Sequence, residues 1–141
     1  MKKIILSACL LSFVFVSCKK DDDGPTTCEV SVTGIAASYK ITKILAITSG
    51  GSLDITSSSL DACELGGVYQ LKSDKTIVYT ETGASCTGND TGTWDIVSNK
   101  LNASSGFIDV AGAAVVNNCS NIVVTEDLGS GSSLEYTLTK Q

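Results

Sequence analysis

Apolar positions along the chain fall first into one continuous block and then into short alternating runs. Residues 4–16 are largely apolar, preceded by Met1-Lys2-Lys3 and followed by Ser17. A membrane-spanning helix needs about 20 apolar residues, so this shorter run with its basic flank reads as a secretory signal. Residues 19–27 then contain no large apolar side chain and carry Lys19, Lys20, Asp21, Asp22 and Asp23 before Gly24 and Pro25. Such a stretch cannot bury surface and is expected to act as a flexible tether.

Beyond residue 36 the apolar runs are short, rich in Val, Ile, Thr and Tyr, and interrupted by turn residues about every 8–12 positions, the signature of a sandwich or barrel of short strands. Residues 39–47 form the first run, ended by Ser49-Gly50-Gly51-Ser52. Residues 53–55 predict a short strand, followed by a polar, Ser-rich loop to Cys63. Residues 68–72 and 76–81 flank Ser73-Asp74-Lys75, a compact hairpin turn. After a polar loop, residues 91–97 place Trp94 and Ile96 on one face and Thr93 and Asp95 on the other. Further runs follow at 101–103, 107–110, 114–116 and 122–125. The cleanest alternation closes the chain: Leu134, Tyr136 and Leu138 face inward, while Glu135, Thr137 and Thr139 face water. Helix signals are nearly missing. Eight to ten hairpin-linked strands most simply close into an all-β, antiparallel up-and-down barrel of about eight strands, which also removes exposed edges.

Charge and composition narrow the functional classes. Without residues 1–17 the chain has 8 Lys, no Arg and 15 acids, a net charge of −7. That balance disfavours binding to nucleic-acid phosphates and a peripheral grip on anionic lipid. About 105 residues remain after the tether, enough for one domain with a modest core. Cys28, Cys63, Cys86 and Cys119 are an even set in an exported chain and read as two disulfides, with three connectivities open. The chain has no His and no CxxC spacing, so no zinc site is expected.

The segment Phe15-Val16-Ser17-Cys18 resembles the lipobox of bacterial lipoproteins, in which the cysteine is lipidated and becomes the first mature residue. Leu6-Ser7-Ala8-Cys9 fits that pattern better by letter. Cleavage there, however, would leave residues 4–8 as the apolar core, below the roughly 7–15 a signal needs. Cys18 is therefore the expected lipid anchor. The acidic residues behind it resemble export signals that carry some Gram-negative lipoproteins to the outer face of the outer membrane.

A second resemblance concerns the domain. Ala37-Ser38-Tyr39-Lys40-Ile41 resembles the opening Gly-x-Trp-x-Leu strand of lipocalin-like proteins, with Tyr39 where Trp is usual. Cys63, the hairpin around Asp74, Cys86, Gly92-Thr93-Trp94 and the final Tyr136-Thr137-Leu138-Thr139-Lys140 follow in order. This succession is similar to small lipocalin-like domains of bacterial lipoproteins and covers residues 36–141. The resemblance, together with the position of Cys63 and Cys86 on either side of one hairpin, implies a Cys63–Cys86 bridge and leaves Cys28 for Cys119.

Catalysis is not expected. Without His or Arg, and with the cysteines bridged, the usual nucleophile–base pairs cannot be assembled. Asp61, Glu64, Asp90 and Asp95 read as solvated surface charge. Asp21-Asp22-Asp23-Gly24 lacks the ligand spacing of a calcium loop, so no metal and no cofactor are expected. Tyr39, Tyr69, Tyr79, Trp94, Phe107 and Tyr136 are the large side chains available to line a cavity or to fill the core. The combined reading is a signal peptide at 1–17, a lipidated cysteine and acidic tether at 18–35, and a lipocalin-like barrel at 36–141. Its expected role is non-catalytic binding of a small apolar or amphipathic ligand by a protein anchored at the outer membrane. The alternative is a filled barrel serving as a surface protein-interaction domain; no nucleic-acid partner is expected.

Overall fold

The computed structural model describes residues 27–106 and 108–141. The signal segment, Cys18, the acidic run behind it and Phe107 lie outside the described residues. The elements in order are α1 (Val32–Ile35), β1 (Ala37–Thr48), β2 (Gly51–Asp54), α2 (Thr56–Ser59), α3 (Ala62–Gly66), β3 (Val68–Leu71) and β4 (Thr76–Thr80). There follow β5 (Asn89–Val97), β6 (Lys100–Ser104), β7 (Asp109–Asn117), β8 (Asn121–Gly129) and β9 (Ser132–Lys140).

Every pairing is antiparallel, and apart from β1–β3, which passes over β2, and the β1–β9 closure, each joins sequential neighbours, so the chain is an up-and-down meander. One side of β1 pairs with β9 from Tyr39 opposite Lys140 to Ile47 opposite Ser133. The other side pairs with β3 over Ala37 to Tyr39. Eight strands (β1 and β3–β9) thereby close into a barrel, and β2 folds back on the far half of β1 from Leu45 to Thr48. Closure leaves the barrel strands without the free edges that invite aggregation.

Alternating positions on each strand fill the interior. Tyr69 and Leu71, Ile77 and Tyr79, Ile122 and Val124, and Ala113 and Val115 are all buried, while their chain neighbours are more exposed. At roughly 25 cal/mol per Å² of apolar surface, this core is the main favourable term in folding.

The registers give the barrel two distinct ends. At one end lie α1, the β3–β4, β5–β6 and β7–β8 turns and the C-terminus; at the other lie β2, α2, α3 and the β4–β5, β6–β7 and β8–β9 connections. The first end is plugged. Ile35 at the end of α1 is fully buried, and the Tyr39 hydroxyl donates to its carbonyl at 2.8 Å. Asn117, 3% exposed, is the buried polar side chain there, and its Nδ2 donates to the carbonyls of Glu29 (2.8 Å) and Gly34 (3.2 Å). Cys28 bridges to Cys119 beside it, and the Cys28 amide donates to the Asn117 carbonyl.

Three sequence expectations change. Residues 28–35, assigned to the tether, belong to the folded unit, because Val30, Val32 and Ile35 pack into the core and a disulfide holds them there. The segment between β2 and β3 holds two short helices where a loop to Cys63 is expected. Asp61 accepts from the amides of Cys63 and Glu64, and Glu64 accepts in return from the Asp61 amide, a complete capping box. Residues 109–110 and 114–116, expected in separate runs, belong to the single strand β7. Gly112 has φ +68°, and its amide donates to Asn102 Oδ1 where the β6–β7 register slips, so a bulge breaks the alternation without ending the strand.

Candidate functional site

The end opposite the plug holds a cavity of about 280 Å³ that reaches from mid-barrel towards the mouth. Its walls are mostly apolar: Ile41 and Ile44 from β1, Leu101 from β6, Val124 from β8, and Leu134 and Leu138 from β9. Ile55, Ser59, Leu60 and Glu64 reach it from the α2–α3 segment, which lies across the mouth. Local chemistry fixes that segment. Asp54 accepts from the Thr56 amide and hydroxyl, which holds its carboxyl below the usual range, and Thr56 Oγ1 accepts from the Ile44 amide. The Cys63–Cys86 bridge then ties α3 to the β4–β5 connection, with Cα atoms 5.6 Å apart. Thr82 Oγ1 also donates to the Gly66 carbonyl.

Of the six aromatic candidates, Tyr69 and Tyr136 line this cavity. Tyr79 packs behind Tyr69 with ring centroids 4.6 Å apart, its ring lying over Gly67. Tyr39 supports the plug. Trp94 is buried at the β3–β4 turn, where its Nε1 donates to the Lys72 carbonyl and its amide to the Lys75 carbonyl. Phe107 is outside the described residues.

The acidic candidates separate in the same way. Asp95 is at the surface in an ion pair with Lys75 at 2.9 Å. Asp90 accepts from the Gly106 amide, and Asp61 is the N-cap of α3. Glu64 is instead half-buried and faces the cavity. Cys63, Glu81 and Cys86 lie close together, but the two sulfurs are consumed by the disulfide, so the group is not a metal centre.

Sequence reasoning passed over Glu126. It is the third member of Ile122-x-Val124-x-Glu126, an inward-facing alternation on β8, and it lines the cavity. The signal was present: a carboxylate at the next inward position of a strand whose two preceding inward residues are buried. Burial pushes the Tyr136 phenol up, and so do the charge of Glu126 and a hydrogen bond to its carboxylate. Burial also raises Tyr69, with the Tyr79 phenol and the Glu64 carboxylate adding to the effect. Tyr79 is raised to about 12, again chiefly by burial, with the charges of Glu81, Glu64 and Asp61 behind it.

The site is thus an apolar chamber with phenol and carboxylate oxygens towards its mouth. Lys40 alternates with the buried Tyr39 and Ile41, Lys43 is exposed, and no lysine lines the chamber among the described residues. In comparison with known proteins, no family model, curated protein or solved structure matches this chain.

Proposed function

We propose that the chain is a membrane-anchored, lipocalin-like lipoprotein whose barrel binds a small apolar or amphipathic ligand without catalysing a reaction. The observation that carries this reading is the 280 Å³ apolar chamber under a disulfide-tied lid. A dry cavity of about 150 Å³ suffices for one benzene, and ligand pockets run from roughly 300 Å³ upward, so a compact ligand fits. The absence of His and Arg from the chain, and the bridging of Cys28, Cys63, Cys86 and Cys119, support a non-catalytic role. Two disulfides suit an oxidising compartment, which supports export past the inner membrane. The lipobox-like ending at Cys18 supports anchorage, at the outer membrane by the acidic run behind it.

Native mass spectrometry of protein purified from its own envelope tests the binding role. A bound small molecule should appear on the wild type and be lost in V124F, which fills the chamber from β8. Wild-type protein without an adduct, and with a melting temperature unmoved by a panel of apolar probes, would overturn it. Fatty-acid labelling tests the anchor: C18A should lose the label and leave the membrane fraction, whereas C9A should change neither.

A second reading, a protein-interaction domain, draws on Leu53 and Leu128, 66% and 56% exposed near the mouth. A partner that protects both leucines from solvent while the chamber stays empty would favour it.

A further inference from the structure

We propose that the chamber selects an apolar ligand carrying a protonated amine, with the nitrogen held by Glu126 at the mouth and the hydrocarbon part within the barrel. This rests on the binding reading above and specifies its ligand.

Glu126 is turned inward by the β8 alternation and sits directly opposite Leu134 in the β8–β9 register, next to the Val124–Tyr136 pair. Tyr136 lines the chamber beside it from the β9 side, and the Glu126 charge adds to burial in holding the Tyr136 phenol up. Glu64 enters the same chamber from the lid, where its Oε2 accepts from the Asp61 amide. The capping box thus fixes a second carboxylate over the opening, and Asp109 supplies a third at the exposed rim.

These groups decide between ligand classes. An anion entering the chamber would lose hydration beside three carboxylates with no lysine in the lining to compensate. A neutral ligand would fill the apolar part but draw water away from Glu126 without supplying a charge in return. A protonated amine offers N–H donors to Glu126 and cancels its charge, forming the charge-assisted bonds that are the stronger kind. Ile41, Ile44, Leu101, Val124 and Leu138 supply aliphatic walls, so the hydrocarbon part of such a ligand meets mainly apolar side chains.

Isothermal titration calorimetry of the intact protein at neutral pH with three probes of matched size tests this: 2-phenylethylamine, 2-phenylethanol and 3-phenylpropanoate. The amine should bind at least about tenfold more tightly than the alcohol, with the carboxylate weakest. In E126Q the amine should fall to within about threefold of the alcohol, while the alcohol keeps its affinity. An amine no tighter than the alcohol, or a preference that survives E126Q, overturns the proposal while leaving the binding reading intact. Failure of all three probes to bind overturns both. Should E126Q not fold, the wild-type comparison decides alone.

Discussion

Asn117 Nδ2 donates to the carbonyl of Glu29 across 88 residues of chain, and through that bond the last residue of β7 holds the N-terminal segment inside the barrel's closed end. The same side chain accepts from the Cys119 amide at 3.0 Å and donates to Gly34, so one amide serves three backbone groups.

The first prediction concerns that amide. N117A should lose about 1–3 kcal/mol in chemical denaturation, because part-buried backbone groups at Glu29, Gly34 and Cys119 lose partners together. N117D should be no better, since a carboxylate meets two carbonyl oxygens without a proton to donate. A loss below about 0.5 kcal/mol would show that the plug is held by the disulfide alone.

The two disulfides should differ in weight. In the chain-entropy account, a 91-residue separation is worth about 4.6 kcal/mol and a 23-residue separation about 3.4 kcal/mol. C28S/C119S should therefore destabilise more than C63S/C86S. The second variant should show the larger local effect, with faster amide hydrogen exchange confined to α3 and the β4–β5 connection. Peptide mapping without reduction checks the pairing itself.

Gly67 is required by packing and not by conformation. Its φ is −60°, yet an added Cβ would stand 2.5–2.9 Å from two ring carbons and the hydroxyl oxygen of Tyr79. G67A should cost about 1–3 kcal/mol by overpacking. Pairing it with Y79L should recover part of that loss, which would not happen if the backbone were at fault.

Alkaline pH should unfold the barrel through its phenols. Tyr39, Tyr69, Tyr79 and Tyr136 all have folded-state values raised above the ordinary 10, Tyr79 to about 12. A raised acid keeps its proton longer in the fold than in the unfolded chain. The stabilisation is fully present below pH 10 and is lost as pH climbs towards 12. Tyrosinate absorbance and far-ultraviolet circular dichroism should change together in that window. Ionisation of all four tyrosines near pH 10 with the fold intact would contradict the burial assigned to them.

The strands were legible because their alternation is long enough to read, as in Leu134-x-Tyr136-x-Leu138, and because turns such as Ser73-Asp74-Lys75 punctuate them. What period-2 reading hides is any place where the period breaks. Gly112 inserts a residue at the bulge and made β7 look like two runs. Helices α2 and α3 are four and five residues long, too short for a 3.6-residue periodicity to register. Only the Asp61-to-Glu64 cap announced α3. The chamber was legible as a set of aromatics, but which of them reach it depends on their height along the barrel axis. Trp94 and Tyr39 lie towards the plugged end, and composition carries no such coordinate. Glu126 was missed because its chain neighbours, Thr125 and Asp127, are polar, so it passes for the solvated end of a strand.

The Cys28–Cys119 bridge also sets an orientation. It fixes the entry of the chain at the end of the barrel opposite the mouth, and Cys28 stands ten positions beyond Cys18, a reach of roughly 33–36 Å fully extended. Were Cys18 lipidated as proposed, a leash of that length would keep the plugged end nearer the bilayer on average and leave the opening towards the medium. Cargo would then be collected from solution, and release into the membrane would require the whole barrel to tip over.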